Sequence, residues 1–403
     1  MQRITILMWC GNHIESPEFA TVPGLQTLQI NDIIANWKIE QKIGEGGFGA
    51  VYKVSDTTSS THASYALKTE RVNAPTKVLK MEVVVLRALK KARATHCCDI
   101  LDSGRALGYN FIIMTLVGAS LMDLRKNNKL KENSFTMGCA ISVGIQCLEA
   151  IQELHNVGYL HRDLKPANFC ICVDDVRRIY LLDFGMCRRY VDSDNAVRRP
   201  RWASGFRGTQ RYAAISCHIS REMARKDDLE SWLYQQIELT SGELPWKSLE
   251  DTVAICNAKE KSRTSGIKEL FAGCPKEYIH MMFYIDSLRY YDKPNYAILR
   301  GLLRDALDSN ALSEHPYDWE PCATSRTATP QIPETNPKAA ETNPKATEAN
   351  PKAAETNPKP SETNPKAAET NPKASETNPK VAETNPKGTE TNPKAAETNP
   401  KAQ

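Results

Sequence analysis

Two carboxylates set the chemistry open to this sequence. Asp163 lies in His161-Arg162-Asp163-Leu164-Lys165-Pro166-Ala167-Asn168, and Asp183 follows twenty positions later in Asp183-Phe184-Gly185. Phosphoryl transfer needs two acids in different roles. One accepts or orients a hydroxyl proton, and the other holds the metal ion that neutralises nucleotide phosphates. The first string matches H-R-D-L-x-x-x-N at five fixed positions, which chance rarely supplies. Asp163 is therefore the candidate catalytic base, and Lys165 the group that stabilises the transferring phosphoryl. Asn168 and Asp183 are the candidate Mg2+ ligands. Mg2+ keeps its waters and takes few protein carboxylates, so one Asp and one Asn with ATP oxygens suffice. His161 reads as a buried structural residue and Phe184 as core.

A phosphate cradle lies upstream. Ile43 precedes Gly44-Glu45-Gly46-Gly47-Phe48-Gly49-Ala50-Val51, a G-x-G-x-x-G-x-V pattern. A dinucleotide-binding turn should lead into a helix. Here Val51-Tyr52-Lys53-Val54 continues as a strand, so the glycines join two antiparallel strands and let backbone amides approach phosphates. Tyr65-Ala66-Leu67-Lys68 then matches V-A-I-K and places an ammonium on the phosphates. That lysine needs an acidic partner. Glu82, in a helical run, is the candidate; Glu70 is too close on the same strand.

The elements that must hold these groups follow from periodicity. Trp37–Ile43, Ala50–Val54, Ser64–Thr69 and Phe111–Leu116 read as strands, and Val78–Leu89 as a helix. The character then changes. Met137, Ile141, Ile145, Leu148, Ile151 and Leu154 mark a long amphipathic helix. Phe169–Val173 and Ile179–Leu182 flank a polar turn, and Asp228 opens a further helix that Ser241-Gly242 closes. The expected fold is α+β and bilobal, with a small β-rich lobe over about 36–114 and a larger helical lobe over about 118–320. Residues 1–35 read as a poorly ordered leader and 321–333 as a linker.

From Glu334 to Gln403 a seven-residue unit, Glu-Thr-Asn-Pro-Lys-Ala-Ala with small variations, repeats ten times. The period matches a coiled coil, but no large apolar seam exists and each unit carries a helix-blocking proline. The repeats are net neutral and too polar to offset their ordering entropy, so a disordered tail is expected. It reads as a spacer, a multivalent handle or a target of self-phosphorylation. The chain's net charge of +4 is too small to suggest nucleic-acid binding. Its twelve cysteines show no zinc spacing and read as reduced thiols of a cytoplasmic, or nuclear, protein. No stretch has the length of a membrane span.

These motifs, over about 36–320, resemble a eukaryotic protein kinase. Lys80-Met81-Glu82-Val83, Gly205-Phe206-Arg207-Gly208-Thr209-Gln210-Arg211-Tyr212-Ala213, Arg225-Lys226-Asp227-Asp228, Leu244-Pro245-Trp246 and Pro316-Tyr317-Asp318-Trp319-Glu320 narrow the likeness to the casein kinase 1 superfamily, most like its tau-tubulin kinase branch. The resemblance implies an ATP- and Mg2+-dependent, non-specific serine/threonine protein kinase, monomeric, acting on protein substrates and on neither nucleic acid nor membrane. It implies that Met114 limits the adenine pocket, that Thr115-Leu116 is the hinge, and that Asp228 braces the catalytic loop. Lys165 is the residue associated with Ser/Thr acceptors. Where that family has Ser-Ile-Asn after the activation segment, this chain has Ala214-Ile215-Ser216, so anchoring there is open. Seven arginines lie between Arg188 and Arg211; as forks for carboxylate and phosphate they suggest acidic or pre-phosphorylated substrates, and the resemblance adds cytoskeleton-associated ones. A weakly active or inactive scaffold that binds partners through its repeats is the competing function.

Overall fold

A six-stranded antiparallel sheet, in the order β1-β2-β3-β4-β6-β5, carries the first part of the chain. Its strands are β1 (Ile33–Ile34), β2 (Trp37–Gly46), β3 (Gly49–Asp56), β4 (Ser64–Arg71), β5 (Ile100–Ala106) and β6 (Tyr109–Thr115), with helix α1 (Leu79–Lys91) between β4 and β5. The computed structural model describes residues 27–321 apart from 47–48, 61–62, 130 and 132. Gly47 and Phe48, the leader before residue 27 and the repeats therefore lie outside the described residues.

Strand alternation sorts the side chains. Ala50, Tyr52, Val54 and Leu67 pack into an outer cluster with Trp37 and Ile113. Val51, Ala66, Ile112 and Met114 face the other way, into the main core. The register places Val51 and Ile112 beside Lys68, and Met114 beside Ala66. Lys68 thus sits at the centre of the sheet. Glu70, two residues further on, caps α1: its carboxylate accepts the Val78 and Leu79 N–H groups at 2.6 and 3.0 Å.

The ordered fold begins before residue 36. Ile34 and Leu28 are buried in the outer cluster, and β1 pairs with β2. Residues 27–35 are thus part of the small lobe, because two apolar side chains bury there. β5 also went unread in the sequence. It is an edge strand with mostly exposed side chains and no clean alternation.

The larger lobe contains β7 (Val117–Ser120), α2 (Leu121–Lys126), α3 (Met137–Asn156), β8 (Tyr159–Leu160), β9 (Phe169–Cys172), β10 (Ile179–Leu181), β11 (Arg188–Arg189), α4 (Ile215–His218), α5 (Arg225–Ser241), α6 (Thr252–Lys261), α7 (Ile267–Leu270), α8 (Glu277–Ser287) and α9 (Tyr296–Ser309). α3 buries Ile141, Leu148, Ile151 and Leu154 against α5 and α9. Each such side chain contributes about 1.5–3 kcal/mol. α5 starts at Arg225, earlier than the sequence indicated, because Asp227 caps it by accepting the Ala224 N–H at 2.6 Å. Gly242, at φ 93°, ends it as expected. At the far end Asp318 caps α3, accepting the Thr136 N–H at 2.7 Å and the Thr136 hydroxyl at 2.6 Å. Arg177 grips Glu320 through two contacts of 2.9 and 2.7 Å. The lobe therefore closes through residue 320.

Candidate active site

Lys68 is buried and its Nζ donates to two acids, Glu82 Oε2 at 2.7 Å and Asp183 Oδ1 at 3.0 Å. Glu82 comes from α1 and Asp183 from the chain after β10, so three distant segments meet on one ammonium. Burial alone would push the Lys68 pKa down. The Asp183 and Glu82 carboxylates more than reverse it, and the amine is held above the ordinary lysine range. Burial would likewise raise Asp183, but Lys68 wins and keeps it below the usual carboxylate range.

A cleft opens beside this cluster. Of the expected nucleotide residues, Ile43, Gly44, Val51, Lys68, Glu82, Met114, Leu116 and Asp183 line it. Ala66 and Cys170 also line it, as do Ser120 and Asp123 near the start of α2. Ala66 could have been found from its place two residues before Lys68. Cys170 and Asp123 carry no local signal. Four expected residues sit elsewhere. Glu45 is exposed and paired with Lys42 at 2.6 Å. Ala50 belongs to the outer cluster, since strand alternation turns it away. Gly46 and Gly49 pair across the hairpin. At Gly49, φ is 157° and a Cβ would fall 1.7 Å from the Thr69 carbonyl oxygen, so only glycine fits beneath β4.

The catalytic loop approaches from below. Asp163 Oδ2 lies 2.9 Å from Lys165 Nζ. Its Oδ1 accepts the Thr209 hydroxyl at 2.7 Å, and Lys165 donates to the same Thr209 Oγ1 at 3.1 Å. Thr209 belongs in this triad but was quoted in the sequence only as part of a family string. A Cβ at Gly208 would meet the Arg162 carbonyl oxygen at 2.4 Å, so the glycine lets Thr209 come this close. Asn168 Nδ2 donates to the Asp163 carbonyl at 2.8 Å, while Asn168 Oδ1 is buried with no hydrogen-bond partner among the described residues. An unpaired buried oxygen costs about 1–3 kcal/mol. The Leu182 N–H donates to the Asn168 carbonyl at 2.8 Å, which ties Asn168 to the segment that carries Asp183. The lone Oδ1 acceptor suits a hard cation with oxygen ligands such as Mg2+.

The loop is braced from underneath. Asp228 is fully buried and accepts the His161 and Arg162 N–H groups at 2.8 and 2.9 Å; it also meets His155 Nε2 at 2.8 Å. Arg162 sits at φ 69°, a conformation this carboxylate helps to hold. His161 is buried, with Nε2 3.0 Å from the Leu182 carbonyl and its ring edge-on to Phe184. It is structural, as its burial-prone position suggested.

Comparison with known proteins agrees with this geometry. The protein kinase domain family matches residues 37–285. A probable serine/threonine-protein kinase of Dictyostelium discoideum is 38% identical over 291 residues, covering 72% of this chain and 57% of that protein. The chain thus spans little more than half of that relative. A probable casein kinase I homolog of Encephalitozoon cuniculi is 33% identical over 297 residues, covering 71% of this chain and 94% of the homolog.

The chain belongs to the protein kinase family. Casein kinase I proteins are among its relatives, a putative one from Caenorhabditis elegans being 34% identical over 292 residues, 70% of this chain and 83% of the relative.

Within this kinase fold the activation segment differs from its sequence impression. Arg188 Nε lies 2.9 Å from Glu222 Oε1, and Arg201 grips the same buried carboxylate. Arg211 pairs with Glu238 at 3.2 Å, and Glu238 also accepts the Tyr212 hydroxyl at 2.5 Å. Three of the seven arginines are thus matched to buried carboxylates. The other four, Arg189, Arg198, Arg199 and Arg207, are exposed. Arg198 and Arg207 donate to the backbone carbonyls of Val191 and Phe206, which leaves their charge uncancelled. The Ala214-Ile215-Ser216 departure does not free the segment's end, because the Ile215 N–H donates to Glu230 on α5 at 3.0 Å.

Proposed function

We propose that this chain is an active serine/threonine protein kinase. The observation that carries the proposal is Lys68 Nζ held at 2.7 Å from Glu82 and 3.0 Å from Asp183, an assembled cleft rather than a dispersed set of motifs. Bound ATP and Mg2+ supply the transferable phosphoryl group and the neutralising charge. Lys68 orients the nucleotide phosphates. Asp163 accepts the proton of the attacking hydroxyl, and Lys165 offsets charge building on the transferring group. Thr209 bridges those two and fixes their spacing. A scaffold without activity has less support, because scaffolds tend to lose one of Lys68, Glu82, Asp163, Asn168 and Asp183.

The finer reading favours acidic or pre-phosphorylated protein substrates and the tau-tubulin kinase branch. It rests on exposed Arg198, Arg199 and Arg207, and on the Pro316–Glu320 string that closes the large lobe. The test is ATP turnover on casein or a tubulin-associated protein, wild type against Asp163→Asn. A general base contributes about 10²–10⁴-fold, and a loss in that range is expected with nucleotide affinity retained. Equal rates in the two proteins overturn the catalytic assignment.

A further inference from the structure

One buried cation takes no part in the chemistry above. Lys259, on α6, is 0% exposed. Its Nζ donates to the Gln210 carbonyl at 2.7 Å and the Ala213 carbonyl at 2.6 Å, and lies 3.0 Å from His218 Nε2. The rings of Tyr234 and Trp246 stand 5.1 and 5.4 Å from it. Burial is the main reason its pKa is pushed down to about 7. A buried ammonium is costly to desolvate, so burial alone does not account for a lysine here.

What it touches does. Residues 209–213 form a turn in which the Tyr212 and Ala213 N–H groups donate to the Thr209 carbonyl at 3.0 and 2.9 Å. Lys259 takes the carbonyls of Gln210 and Ala213. Its neighbours on the larger lobe take other groups of the same turn. Trp246 Nε1 donates to the Arg211 carbonyl at 2.8 Å, and Gln210 Nε2 donates to Thr252 Oγ1 on α6 at 2.8 Å. At the head of the turn stands Thr209, 2.7 Å from Asp163. A hydroxyl delivered to Asp163 therefore arrives next to the head of this turn.

We propose that Lys259 is a positioning residue for the protein substrate: its ammonium locks the 209–213 turn, and so fixes both Thr209 and the surface against which the accepting peptide lies. The inference rests on the kinase reading. His218 and Cys217 face the amine from α4, Glu230 and Tyr234 from α5, Cys256 from α6 itself and Arg263 from just past its end. Glu230 is the one carboxylate of this set, and it already pairs with Arg263 at 3.0 Å.

Lys259→Met keeps the volume and removes the donors. Steady-state kinetics should show peptide KM raised about tenfold or more, the scale of a lost charged hydrogen bond. ATP KM should stay within about twofold, while the melting temperature should fall, because the Gln210 and Ala213 carbonyls lose a donor. Lys259→Arg, which keeps donors, should recover most of the peptide KM. A folded Lys259→Met protein with unchanged peptide KM, or one whose ATP KM rises in parallel, overturns the proposal. Should Lys259→Met not fold, Thr252→Val cuts the side-chain tie between the same helix and turn. A rise of about two- to threefold in peptide KM is then expected, as for one neutral hydrogen bond, and none overturns it. If wild type transfers no phosphate, the kinase reading fails separately. The lock is then read by amide hydrogen exchange of residues 209–215 in Lys259→Met, or in Thr252→Val should Lys259→Met not fold. Faster exchange supports it and unchanged exchange overturns it.

Discussion

The cleft and the activation segment both hold dense charge, and they treat it in opposite ways. In the cleft, Lys68 is shared by two carboxylates, and the Asn168 Oδ1 atom has no protein partner among the described residues. In the segment, Arg188 and Arg201 converge on Glu222, while Arg211 and Tyr212 converge on Glu238. Unmatched buried polar groups cost free energy and persist where something else must bind. Matched ones hold a shape. The cleft is built to receive, and most of the segment's charge is built to keep that segment in place.

The largest effect should come from removing the cleft's shared cation. Lys68→Met leaves Glu82 and Asp183 facing each other without a counter-charge. Loss of one preorganised donor typically costs about 10²–10³-fold in kcat, and we expect at least that in phosphoryl transfer. Lys68→Arg should not restore it, because the longer planar fork spreads its donors away from the single point at which Nζ meets both acids. Rate measurements at saturating ATP decide the matter. If Lys68→Met keeps near-wild-type turnover, the cleft is not a receiving site and the contrast collapses.

Glu222 tests the other side. Burial raises its pKa, but Arg201 and Arg188 outweigh that and hold it below the usual carboxylate range. A lowered folded pKa means the unfolded chain binds the proton more readily. The stabilisation is then complete above the unfolded value of about 4.3 and fades as pH falls through the lowered folded value. Glu222→Gln should destabilise the protein by about 1–3 kcal/mol at pH 7, as two guanidinium groups lose their carboxylate. Thermal unfolding at several pH values should show that deficit shrinking in acid. A deficit constant with pH would falsify the pairing as the cause.

What could be read from sequence divides along the same line. His161-Arg162-Asp163, Asp183-Phe184-Gly185 and the glycine hairpin were legible because their chemistry demands fixed local spacing. Glu82 was legible because one helix follows the Lys68 strand and offers few acids. The braces were not. Glu222 meets Arg188 across 34 residues of chain, and Thr209 meets Asp163 across 46. Such pairings are set by how helices pack and leave no periodic trace. The seven arginines therefore looked alike in sequence, although three are tied to buried carboxylates. Edge strand β5 and the Leu28–Ile34 stretch were missed for a related reason, since each buries few side chains and shows little alternation.

The smallest predicted effect separates the two kinds of arginine within the segment. Arg199 is exposed, while Arg201 is tied to Glu222. If the exposed arginines meet substrate acids, Arg199→Glu should raise KM for an acidic peptide about three- to tenfold, the range of one surface charge reversed against a complementary one. KM for a neutral peptide and the melting temperature should hardly move. Raising ionic strength from about 0.1 to 1 M shortens the Debye length from about 10 to 3 Å, so the difference should shrink in salt. Arg201→Glu should behave differently, lowering stability and weakening both peptides together, because it places a second acid against Glu222. Should Arg199→Glu affect acidic and neutral peptides equally, the exposed arginines are solvated charge rather than substrate contacts. The segment's role would then reduce to holding its shape.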